Sequence, residues 1–265
     1  MAEIEYPLAR PYFSESNRRA ICEAIDGILT SGRLMLGPYS RKLEQGMADA
    51  VGVPYAVSVN SCTTALTIAL QYYGVKGGEV LVPSGSFVTD VSAILFAGGE
   101  PVLVDMNPES LSFDLEDLAR KITRKTKAII WVHLTGTISP EYRQIIDIAQ
   151  KAGVPVIEDA AQAHGSTADG AMAGSIGDVG CFSFFPTKVM TCGTGGLLTT
   201  RDDELRLYAE EMRMFGKDSE TGDVKNLGND WFLDEIRACV AYHQFLELPR
   251  MVEQRRRLAA TYELN

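Results

Sequence analysis

Cys181-Phe182-Ser183-Phe184-Phe185-Pro186-Thr187-Lys188 is the stretch on which the reading of this chain turns. Aromatic and apolar residues fill it, as in a buried strand, and a lysine closes it. A glycine loop follows, Gly193-Thr194-Gly195-Gly196, and then a second apolar run, Leu197-Leu198-Thr199-Thr200. A lone lysine is nearly always a solvated surface residue. Here an aromatic strand and a glycine loop flank it, where loss of water would make its amine a nucleophile. Upstream, Val156-Ile157-Glu158-Asp159-Ala160-Ala161-Gln162 reads as another buried strand, this one ending in an acid.

Outward from these two stretches, short β-branched runs alternate with segments of helical period. The pattern predicts strands over 55–59, 79–83, 101–105, 127–134, 154–158, 179–185 and 196–200. Helices are predicted over 63–73, 88–97, 115–122, 141–152 and 202–215, with two more over 234–246 and 249–262. Residues 216–230 are polar and glycine-containing and read as an excursion. Strands that are continuously apolar and separated by helices predict a parallel sheet covered on both faces. The expected fold is therefore α/β, with a mostly parallel mixed sheet of about seven strands flanked by helices. The short loop from Lys188 to Leu197 leaves room for the last strand to run antiparallel.

Open sheets of this kind place ligands at the carboxyl ends of their strands. Asp159 falls at such an end, Lys188 lies just beyond one, and Ser61 follows another. An amine and an acid so placed suit pyridoxal phosphate, which needs an amine to condense with its aldehyde and a carboxylate to keep its ring nitrogen protonated. Asn60-Ser61-Cys62-Thr63-Thr64 stands at a strand-to-helix junction, where N–H groups and the helix dipole favour a phosphate; the alternative is an ordinary N-cap. Ser183 is a second phosphate donor or simply a strand serine. Gln162 reaches the ring or lies on a surface helix. Phe87 stacks on the ring or packs in the core. Glu158 points to the opposite side of its strand from Asp159. His133 and His164 read as structural histidines, and of the two only His133, near a strand end, has a claim as a base.

Composition narrows the alternatives. The chain has 265 residues, 46% hydrophobic and 23% charged, with 25 basic against 35 acidic side chains and a net charge of -10. No basic face of the kind a nucleic-acid binder needs is apparent. Five scattered cysteines and three histidines argue against a disulfide framework or a structural metal site. Met1-Ala2-Glu3-Ile4-Glu5-Tyr6 lacks a basic region followed by an apolar run, and no apolar stretch is long enough to span a bilayer. The expected home is the cytoplasm.

Several ordered motifs together resemble the DegT/StrS-type nucleotide-sugar aminotransferases, a branch of the fold-type-I pyridoxal-phosphate enzymes. They include Asn60-Ser61-Cys62-Thr63-Thr64-Ala65-Leu66, Pro83-Ser84-Gly85-Ser86-Phe87-Val88 and Gly98-Gly99-Glu100-Pro101-Val102-Leu103-Val104-Asp105. Val132-His133-Leu134-Thr135-Gly136 and the Glu158-to-Gly165 and Cys181-to-Gly196 segments continue the likeness. The resemblance implies a homodimer with its site at the subunit interface. It implies that Lys188 holds the cofactor and shuttles a proton, that Asp159 holds the ring nitrogen, and that Gln162 lies near the ring. Phe87 matches the stacking position, and Cys62, Thr63 and Ser183 match the phosphate-binding ones; no metal is implied. The implied reaction moves an amino group from glutamate or glutamine to a keto-sugar linked to a nucleotide, in polysaccharide or secondary-metabolite assembly.

Departures from the pattern set a second expectation. Cys62 stands where the family has glycine, and Thr194 where it has glutamate. Asp230 and Phe232 replace an asparagine and an arginine. The implied organisation is an N-terminal arm and helix (1–30), a large cofactor-binding domain (31–248) and the start of a helix (249–265) leading to a small C-terminal domain that is expected to be missing or truncated. The competing expectation is thus a truncated, non-catalytic relative that binds cofactor or serves as an interaction subunit. Another pyridoxal-phosphate reaction on the same scaffold is a third.

Overall fold

Seven strands form the central sheet of the computed structural model, which describes residues 9–263; the opening segment Met1–Tyr6 and the first part of the expected arm lie outside them. The strands are β1 (Tyr55–Val59), β2 (Glu79–Pro83), β3 (Glu100–Val104), β4 (Thr126–Val132), β5 (Val156–Asp159), β6 (Val179–Ser183) and β7 (Gly196–Thr200). They pair in the order β1-β7-β6-β5-β4-β2-β3. All pairings are parallel except those of β7, which runs antiparallel to both β1 and β6. The short glycine connection after Lys188 permits only this hairpin-like return. β5 is the middle strand, so Asp159 faces Cys181 of β6 on one side and Val132 of β4 on the other.

Among the described residues eight α-helices surround the sheet: α1 (Glu15–Ser31), α2 (Pro38–Val51), α3 (Cys62–Tyr72), α4 (Val88–Phe96), α5 (Leu115–Lys121), α6 (Tyr142–Ala152), α7 (Asp203–Arg213) and α8 (Glu235–Glu263). Local sequence sets many of their ends. Ser14, Asp114 and Asp202 cap α1, α5 and α7 through side-chain oxygens, and glycines in the left-handed region end α1, α2 and α6. Cys181 and Phe182, adjacent on β6, join clusters on opposite faces of the sheet, which is how period-two strands feed two layers. α3 lies almost wholly buried against one face through Ala65, Leu66, Ile68, Ala69 and Leu70.

Two features depart from expectation. The predicted helices over 234–246 and 249–262 are one helix, α8, which runs through Pro249. Leu248 and Met251, either side of the proline, are both buried in the same cluster, so packing holds the two halves in line despite the missing backbone bond. α2 was not among the predicted helices. Its buried Leu43, Met47 and Val51 follow helical spacing, while its N-terminus is satisfied from far away in sequence: the buried Glu235 carboxylate accepts from the amides of Gly37, Tyr39 and Ser40 and from the Ser40 hydroxyl. Among the described residues no helix is long and apolar enough to cross a membrane.

Candidate active site

The carboxyl ends of β1, β5 and β6 open into one cavity of roughly 410 Å³, within the range of small-ligand sites. Its lining includes Cys62, Thr63, Phe87, Asp159, Gln162, Ser183 and Lys188, every site residue singled out from the sequence. A larger groove of about 510 Å³ between α2 and α7 contains none of them. The sheet topology therefore brings together side chains up to 126 positions apart (Cys62 to Lys188).

Each wall has a local cause. Ser61 caps α3, its hydroxyl accepting from the Thr64 amide at 3.1 Å. The amides of Cys62 and Thr63 follow directly and, as the first of the helix, have no intrahelical acceptor. N–H groups at a helix start are donors of the sort a phosphate uses. Gly196 lets β7 run close beneath this turn: a β-carbon there would lie 2.3 Å from the Ser61 carbonyl carbon and 2.5 Å from the Cys62 nitrogen. Ser183, at the end of β6, accepts from the Phe185 amide at 3.3 Å, a bond that leaves its own O–H proton uncommitted.

Asp159 forms the floor. Its Oδ1 accepts from the Ala161 amide at 2.9 Å and lies 3.8 Å from the Cys62 thiol. Burial, with the Asp159 charge second, pushes the Cys62 thiol well up, so it stays protonated and can donate to Asp159. Gln162 is fixed by the Thr135 amide, which donates to its Oε1 at 3.0 Å. Thr135 itself holds a positive φ of 59° inside a tight turn, and Gly136 beside it comes so near that a β-carbon would sit 2.6 Å from the Gln162 carbonyl oxygen. Phe87, 63% exposed at the cavity mouth, is not a core residue. Its free ring face suits a stacking role. Lys188 sits half-buried in the lining of the same cavity.

Glu158 points away from the cavity, as strand alternation requires. It is completely buried, and its two oxygens accept from the amides of Gly174, Ile176 and Gly177 at 2.7–2.8 Å and meet His133 Nε2 at 2.7 Å. His133 thus belongs to the support behind β5 and does not line the cavity, which removes its claim as a base. His164 is buried between Phe182 and Phe184 with neither ring nitrogen bonded among the described residues, and burial, then Lys188, pulls its pKa down to about 3. Ser61, Thr89, Phe185, Thr187 and Thr194 also line the cavity. Thr89 and Thr187 carried no sequence signal beyond their place next to Phe87 and Lys188.

An amine, a floor carboxylate, a helix N-terminus with free amides and an exposed aromatic ring fit pyridoxal phosphate in charge and in size. Fold and site together define a pyridoxal-phosphate-dependent enzyme of the α/β type. The chain belongs to the DegT/DnrJ/EryC1/StrS aminotransferase family, whose sequence pattern matches residues 15–265. It is 34% identical over 258 residues to the GDP-perosamine synthase of Caulobacter vibrioides, covering 97% of this chain and 68% of that one. It is 38% identical over 247 residues to the UDP-N-acetyl-3-dehydro-alpha-D-glucosamine 3-aminotransferase of Acidithiobacillus ferrooxidans, covering 92% and 66%. Spr1654 from Streptococcus pneumoniae, solved in PLP and PMP forms, superposes with a TM-score of 0.90 at 26% identity, over 97% of this chain and 70% of that one. The chain spans about two thirds of the length of the two enzymes compared by sequence.

Proposed function

We propose that this chain moves an amino group from glutamate or glutamine to a keto-sugar carried on a nucleotide, with Lys188 and Asp159 as the working pair. The observation that carries the reading is the shared cavity: an amine and a carboxylate from separate strand ends open into the same space as an α-helix N-terminus. Relatives whose names specify amino transfer to nucleotide-linked keto-sugars support the choice of substrate class. Pyridoxal phosphate, when bound, supplies the electron sink that lets an amino acid give up its α-proton.

The side chains divide the remaining work. Lys188 Nζ would anchor the cofactor and, once released, take and return a proton between donor and acceptor carbons. Asp159 would keep a proton on the ring nitrogen by placing its negative charge there. The amides of Cys62 and Thr63 and the Ser183 hydroxyl would bind the phosphate, and Phe87 and Gln162 would fix the plane of the ring. Residues 31–248 would form the cofactor-binding unit. Exposed Phe87, Val88 and Phe185 around the mouth suit coverage by a second copy, as in a homodimer. The cytoplasm suits five unpaired cysteines.

One observation favours the non-catalytic alternative. Asp230 and Phe232 line a depression shared with Ser61 and Thr194, next to the proposed phosphate end, and a carboxylate there repels a phosphate. Mixing the purified chain with pyridoxal phosphate, glutamate and a nucleotide-linked keto-sugar decides between them. Formation of 2-oxoglutarate and an amino-sugar is the expected result; a cofactor-loaded protein that forms neither supports the interaction subunit.

A further inference from the structure

Asp90 lies in the first turn of α4, is completely buried, and is not explained by anything above. Neither of its carboxyl oxygens accepts a hydrogen bond of normal geometry among the described residues. The groups that act on it most strongly are the Asp159 carboxyl, the Ser86 hydroxyl and the Phe87 amide. An ionised carboxyl can only accept. Two bare carboxylates in contact in a dry interior are strongly unfavourable, whereas a single proton between them turns the repulsion into a hydrogen bond.

No counter-charge offers another solution. Cys62 of α3 and Cys181 of β6 face the same spot, and burial, with Asp159 next, pushes both thiols up and keeps them neutral. Glu158, on the far side of β5, spends its oxygens on the 174–177 loop and His133. Lys188 acts on Cys62 but is not among the groups acting most strongly on Asp90. Burial first, and Asp159 second, raise Asp90 to about 9. A first-turn acid usually serves the helix dipole as an anion; this one is buried too deeply.

We infer that Asp90 is a positioning residue for Asp159: it carries a proton, donates it in a hydrogen bond to Asp159, and so leaves one negative charge on the pair, held by Asp159 and turned towards the cavity. The Ala161 amide and the Cys62 thiol fix Oδ1 of Asp159, and Asp90 adds a third donor that sets the plane of the carboxylate. This role rests on the reading that Asp159 serves the cofactor's ring nitrogen, though the shared proton itself does not.

Infrared difference spectroscopy on cofactor-free protein tests the proton directly. Wild type minus Asp90→Asn at neutral pH is expected to show the carbonyl stretch of a protonated carboxylic acid, and that band should fade from the wild type as pH passes about 9. No such band at neutral pH, or the same band in the variant, overturns the inference. Should Asp90→Asn fail to fold, the wild-type titration alone decides, and Asp159→Asn should move the loss of the band to lower pH. The positioning role is read from cofactor affinity. Asp90→Asn keeps a donor and should bind close to wild type, while Asp90→Leu should bind roughly tenfold more weakly. Equal weakening by both would reduce Asp90 to packing. Failure of Lys188 to hold the cofactor would sink the proposed function yet leave the infrared band in place.

Discussion

Replacing Glu158, directly behind Asp159, separates the support of the site from the site itself. Its fully buried carboxylate gathers three amides from the 174–177 loop and one buried imidazole nitrogen. In Glu158→Ala those three amides lose their acceptor and the His133 ring loses its hydrogen bond to Glu158, a loss of about 3–5 kcal/mol. Glu158→Gln is the sharper test because it keeps the shape. One oxygen becomes an NH2 group, which cannot face the Ile176 and Gly177 amides without setting donor against donor. Turned the other way, it can donate to His133 Nε2, whose Nδ1 has no partner among the described residues and can take the proton, but the Gly174 amide is then left without its acceptor. The first pose loses two bonds and the second loses one, so the better pose costs about 1–3 kcal/mol. Urea unfolding of the cofactor-free variants, followed by far-ultraviolet circular dichroism, measures both. The loop leads into β6 and on to Ser183 and Lys188, so cofactor affinity should fall alongside stability. A Gln variant as stable as wild type, with unchanged affinity, would refute the view that this carboxylate holds the loop.

Gly196→Ala is expected to push apart β7 and the start of α3, because the atoms nearest the new methyl would be backbone atoms of Ser61 and Cys62. A cost of about 1–3 kcal/mol in stability should accompany a cofactor dissociation constant raised tenfold or more, measured by absorbance titration. His164 supplies a pH dependence. Its folded-state value of about 3 lies below the ordinary imidazole value of 6.5, so the unfolded chain binds a proton that the folded one refuses. The stability it permits is present above the unfolded value and is lost as pH falls from there towards 3, by about 1.4 kcal/mol per unit. Chemical denaturation at a series of pH values should show a flatter acid limb in His164→Leu; identical limbs would refute the assignment.

What the sequence made legible was local. Each strand shows as a β-branched or aromatic run, and the fold follows from their alternation with helical segments. Asp159 and Lys188 stand out because strand ends are where such sheets bind ligands, and because a lysine after Phe184-Phe185 is out of place on a surface. What stayed hidden depended on residues distant in the chain. Glu235 looks like an ordinary first-turn acid on α8, yet it caps α2 from about 200 positions away. Asp90 sits at a helix start, where an acid is ordinary, and only the folded chain brings it under the influence of Asp159. Pro249 reads as a helix break until Leu248 and Met251 are seen to pack together. His133 fell at a strand end like the site residues, but on the face that looks towards Glu158.

The most direct test of the account is peptide mass spectrometry after borohydride reduction of the cofactor-loaded protein. The account predicts one modified peptide, carrying the reduced cofactor on Lys188, and none in Lys188→Ala. A saturated protein that yields no adduct, or carries it on a different lysine, would contradict it.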